Sequence, residues 1–76
     1  MENKLIMFGS MTPMMRAREL LRRHGIRGIT VRTPAHWRRG SCGYSLKLSA
    51  GSAERATQLL RENRIPFVGV AAADYS

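Results

Sequence analysis

Two spacings of apolar residues alternate along this chain and recur in the same order in each half. Lys4 to Phe8 is a short apolar run, and Tyr44-Ser45-Leu46-Lys47-Leu48 alternates with period two, so both segments read as strands. A helical stripe follows each. Met14, Ala17, Leu21 and His24 keep an i, i+3, i+7, i+10 spacing that turns them toward a sheet and leaves Arg16, Glu19 and Arg23 to water. In the second half Ala53, Ala56 and Leu60 make the equivalent stripe, and Ile29 to Arg32 and Phe67 to Val70 give each half a closing strand. Sliding the chain on itself by 39 residues sets Ala17, Leu20, Leu21 and Arg22 on Ala56, Leu59, Leu60 and Arg61, with Ile26 on Ile65 and Val31 on Val70. Each half is therefore strand, helix, strand.

The helix ends carry their own signals. Thr12 can cap the first helix with its hydroxyl while Pro13 sits in the first turn, where a missing N–H costs nothing, and Gly25 ends it. Ser49 or Ser52 can cap the second, and Pro66 stops it from running past Ile65. Two right-handed strand-helix-strand units predict a ferredoxin-like two-layer α+β sandwich, βαββαβ, with a four-stranded antiparallel sheet and both helices on one face. A helical bundle, or a sandwich with another strand order, fits the repeat less well. Tyr44, Leu46 and Leu48 then point to the helices, and Ser45 and Lys47 to the open face. Residues 71–76 carry no structural signal.

With 76 residues the chain makes one domain, residues 1–76, with a small core, so a second copy is a candidate partner that would add buried area. Thirteen Lys and Arg against five Asp and Glu give a formal charge of +8, and twelve of those bases precede Arg64. An anionic partner is implied, whether nucleic acid, an acidic protein surface, a phosphorylated substrate or an anionic membrane, because summed charge steers association without naming what arrives. No apolar run approaches a membrane span. The start, Met1-Glu2-Asn3-Lys4, leads into too few apolar residues for a signal-peptide core, and the expected compartment is the cytoplasm.

The chain has a single cysteine, Cys42, in the connection from Thr33 to Gly43 between the two halves. One cysteine excludes an internal disulfide, and Cys42 with His24 and His36 is too thin a set for structural zinc, so no metal is expected. Nor is there a carboxylate pair, a nucleophile-base-acid set or a phosphate-cradling glycine loop, which makes a non-enzymatic protein the expectation. Gly40 and Gly43 flank Ser41-Cys42 and permit a turn whose N–H groups converge on an anion. Arg38 and Arg39 would lower the thiol pKa if they fold back, and His36 could exchange its proton. The plainer readings stand beside these: an incidental thiol, a solvated arginine pair, an exposed loop histidine, and Trp37 as a cover for the open sheet face.

Leu5-Ile6-Met7-Phe8-Gly9-Ser10 with Thr12, then Ala17, Leu20-Leu21, Gly25-Ile26, Thr33-Pro34, Ser41-Cys42-Gly43 and Leu46, resembles the selenium/sulfur carrier protein-like family over nearly the whole chain. Ser-Cys-Gly ahead of an alternating strand is the most specific element. Members commonly have Arg after Thr-Pro and a serine-rich run before the cysteine, where this chain has Ala35 and Arg38-Arg39-Gly40. The resemblance implies that Cys42 accepts a sulfane sulfur or selenium atom, holds it as a persulfide or selenosulfide without any cofactor, and passes it on. The donor would be a cysteine desulfurase or rhodanese-like enzyme, and the acceptor a second protein. Ser41, Gly43 and Gly40 would shape the anion site, with Arg38, Arg39 and His36 biasing its charge or docking an acidic donor.

Two other classes remain open on the residues. A basic binding module would touch RNA or an acidic protein, but base recognition on such a sheet needs outward aromatics; the strands offer Phe8 and an inward Tyr44, so the outward pair is missing or misplaced. Nonspecific nucleic-acid contact follows from the charge alone. A dimerising regulatory domain would need no thiol.

Overall fold

The computed structural model describes residues 3–33 and 43–72. Their elements run β1 (Asn3–Met7), α1 (Met11–Arg23), β2 (Ile29–Arg32), β3 (Tyr44–Ser49), α2 (Ala50–Glu62) and β4 (Gly69–Ala72), in the expected order. The sheet is ordered β2-β3-β1-β4, and every neighbouring pair is antiparallel. Each helix thus crosses between two strands that hold a strand of the other half between them, which is the α+β ferredoxin-like arrangement.

One core joins the layers. Ile6, Phe8, Leu46 and Leu48 from the sheet meet Met14, Ala17 and Leu21 of α1 and Ala56, Leu59 and Leu60 of α2, all buried. The helical stripes read from the sequence are buried, except at His24. That residue is the exposed C-cap, because α1 has already ended at Arg23.

The internal repeat is kept in the helices to the residue, since α1 and α2 have the same length and their bounds differ by 39 at both ends. Both close in the same Schellman turn. Ile26 N–H donates to the Leu21 carbonyl and Gly25 N–H to that of Arg22; Ile65 and Arg64 donate likewise to Leu60 and Arg61. The isoleucine after each turn is buried beside the leucine it bonds, which fixes the chain's exit toward the sheet. This turn ends α2, so Pro66 follows a stop already made.

Starts and edges depart from expectation. The N-cap of α1 is Ser10, in extended conformation and without a side-chain capping bond, and Thr12 lies inside the helix. Pro13 occupies the third helical position and removes an N–H that a capping hydroxyl would bond. At α2 the cap position is Ser49, whose hydroxyl donates to Ser52 at 3.2 Å rather than to the backbone. β1 begins and ends one residue before the expected run, and β4 begins two residues late. Before β4, Val68 N–H reaches the Met7 carbonyl at 2.7 Å, and Phe67 packs against the core under the Arg61 guanidinium.

The face opposite the helices is not open at its centre. Leu5, Met7, Ser45 and Ala71 lie on it by strand parity, so Ser45 points away from the helices as expected, but that face is buried there and not open. Tyr44, expected inward, is exposed at the strand's end. Lys47 is half-buried. Trp37, read as a cover for this face, lies outside the described residues.

Candidate functional site

Strand direction places the connection between β2 and β3 at one end of the sheet. Met7 pairs with Ser45 and Gly69, and Arg32 with Tyr44, so β1 and β2 finish there while β3 and β4 start there. The N-terminus of α1 follows three residues beyond Met7 and belongs to the same end. Its first turn contains no acidic residue, so the positive end of the helix dipole is not offset by a side chain of that turn.

The connection is pinned where it leaves and re-enters the sheet. Thr33 N–H donates to the Gly43 carbonyl at 2.8 Å, which extends the β2–β3 ladder by one pair. Beside it the Thr33 and Ser45 hydroxyls share a hydrogen bond of 2.6 Å, with both residues fully buried. Buried hydroxyls need hydrogen-bond partners, and this bond ties β2 to β3 beside the connection. Gly43 has φ +89°, a conformation that side chains rarely adopt, and a Cβ there would meet nothing within 4 Å. Glycine is demanded by the turn itself and not by crowding.

Gly43 is thus where the sequence expectation and the described structure meet. The other residues singled out for the site, Cys42, Ser41, Gly40, Arg39, Arg38 and His36, lie outside the described residues. In the sequence Cys42 directly precedes Gly43, and Gly43 is at the sheet end that also holds the α1 N-terminus. The period-two reading of β3 does not show the Thr33–Ser45 clasp, since it takes the face that holds Ser45 to be open. Its sequence signal was two short hydroxyl residues bracketing the connection.

The basic residues distribute unevenly among the described elements. Glu19 takes two hydrogen bonds from Arg22, at 2.7 and 3.1 Å, and lies 3.6 Å from Arg23. The Arg22 hydrogen bond holds the Glu19 carboxyl below the usual carboxylate range, and the same bond raises the Arg22 guanidinium. At the opposite end of the sheet from Gly43, Arg18, Arg22 and Arg27 line a cleft of about 670 Å³ between α1 and β2. These three are not singled out in the sequence, and only the fold brings them together. Among the described residues no group of His, Cys, Asp and Glu could hold a metal ion. No described helix is long and apolar enough to cross a membrane.

A two-layer βαββαβ domain whose one cysteine adjoins a pinned glycine is the class that fold and sequence define. Residues 3–71 match the model of the family described as "Putative Se/S carrier protein-like", and the chain belongs to that family. Comparison with curated proteins and with solved structures finds no match.

Proposed function

We propose that this protein carries a sulfane sulfur or selenium atom on Cys42 between a donor enzyme and an acceptor protein. The family supports the carrier reading at the level of its description, and the observation that ties it to a residue is the clasp at the loop's base. Thr33, Ser45 and Gly43 hold the base of the segment that ends in the chain's one thiol. A carrier needs one nucleophilic sulfur, a fixed point of presentation and no catalytic set of its own.

The exchange balances without an external oxidant. The Cys42 thiolate attacks the outer sulfur of a donor enzyme's cysteine persulfide; the donor's S–S bond breaks, its cysteine leaves as thiolate, and Cys42 gains a persulfide. An acceptor nucleophile then attacks the outer sulfur and Cys42 departs as thiolate. With a selenium-bearing donor the same displacement yields a selenosulfide. The α1 N-terminus at this end favours the anion, and Arg38, Arg39 and His36 supply positive charge and a proton partner in this reading. The docking partner is a cysteine desulfurase or rhodanese-like enzyme.

Sequence-specific RNA recognition is the weaker account. Phe8 is fully buried in the core, and Tyr44 has the helix-side parity of β3, so the described sheet presents no pair of outward aromatics for stacked bases. The test is transfer of radiolabelled sulfur from cysteine through a desulfurase. Label should stay on the wild-type chain in the absence of reductant and be missing from Cys42→Ser. A Cys42→Ser chain that takes up label equally would overturn the proposal.

A further inference from the structure

We propose that the cleft between α1 and the free edge of β2 docks an extended acidic segment of a partner protein, which adds to the sheet as a fifth strand. The inference stands on charge and backbone geometry and does not rest on the sulfur-carrier reading. β2 is an edge strand. Since Thr33 and Gly43 are a hydrogen-bonded pair, the alternation of an antiparallel ladder makes Thr30 and Arg32 the non-bonded positions, with N–H and C=O directed away from β3. Those groups offer both donors and acceptors to an incoming chain, as in strand addition at other sheet edges.

The side chains around that edge select the occupant. Arg18, Arg22, Arg27, Gly28, Ile29 and Thr30 line the cleft, and among the described residues no carboxylate does. Arg22 is already bonded to Glu19, whereas Arg18 and Arg27 form no ion pair among the described residues. Thr30 and Arg32 lie on the helix-side parity of β2, and Ile29, 53% exposed, on the other. An added strand would therefore carry carboxylates at every second position, toward the arginines, and aliphatic side chains between them, beside Ile29. A phosphodiester backbone accepts hydrogen bonds but donates none, so it leaves the outward carbonyls of Thr30 and Arg32 unmatched, and the described residues of the cleft lining include no aromatic for a base. The other edge, β4, has no basic residue from Ile65 to Ala72 to attract acid.

Fluorescence anisotropy with a labelled peptide of alternating glutamate and valine tests this on the full chain, with an oligouridylate of similar length as the competing probe. Wild type should bind the peptide, and Arg18→Glu with Arg27→Glu should weaken it about tenfold or more. Thr30→Pro removes an outward N–H without touching the β2–β3 ladder; it should weaken the peptide about fivefold and leave oligouridylate unchanged. Peptide-induced amide shifts at Thr30 and Arg32 in the wild-type protein give the same answer independently of any variant. Lack of peptide binding overturns the proposal. So do shifts confined to other strands, or an oligouridylate that occupies the cleft and is not displaced by peptide.

Discussion

The hydroxyls of Thr33 and Ser45 meet at 2.6 Å across β2 and β3, fully buried on the face away from the helices. They stand directly under the point where the cysteine-bearing connection rejoins the sheet. Ser45→Ala should cost about 1 kcal/mol in urea unfolding, because it removes a buried hydrogen bond between β2 and β3. Thr33→Val with Ser45→Ala should cost less than the two single losses added together. Strict additivity would show that the pair does not couple.

Gly43→Ala tests the turn itself. Its φ of +89° penalises a side chain by about 1 kcal/mol even though space is open around it. Sulfur uptake by Cys42 should fall with it as the presentation of the thiol shifts. Gly51→Ala, in α2 where a Cβ also meets nothing, should leave uptake unchanged and stability equal or slightly higher.

Gly25 and Arg64 occupy the same station of the repeated helix ending, with φ +77° and +56°. Arg64 bears the strain of a left-handed position without need, since its neighbours make the same bonds as those of Gly25. Arg64→Gly should raise stability by about 0.5–1 kcal/mol, and Gly25→Ala should lower it by about 1 kcal/mol. Thermal unfolding of the two variants against wild type gives both signs.

Glu19 has a pKa held down in the folded protein by the hydrogen bond from Arg22. A carboxylate depressed by folding contributes stability that is present above its unfolded pKa and is lost as pH falls through the lower folded value. NMR titration should place the Glu19 midpoint below the ordinary carboxylate range and move it upward in Arg22→Gln. Because the pair is exposed, the shift should also shrink as salt is added.

The fold was legible because the 39-residue repeat and the amphipathic stripes are local signals, which survive without knowledge of the partner surface. Ile29 to Arg32 was read to the residue as a strand. What escaped was set by tertiary context. Ser45 looked outward by alternation, yet that face of the sheet is buried at its centre. Thr12 looked like a cap, but the chain turns helical at Met11, and His24 fits the helical spacing but falls just past the helix. At the candidate site, Gly43 was legible through its neighbours Ser41 and Cys42, while the Thr33–Ser45 clasp and the arginine cleft depend on strands and helices distant in sequence.

The most direct test of sulfur carriage is the intact mass of the chain after incubation with a cysteine desulfurase and cysteine, followed by peptide mapping. The account predicts a gain of one sulfur atom per chain, located at Cys42, removed by reductant and blocked by prior alkylation of the thiol. A chain whose mass does not change while the desulfurase is active, or whose added sulfur maps away from Cys42, would contradict it.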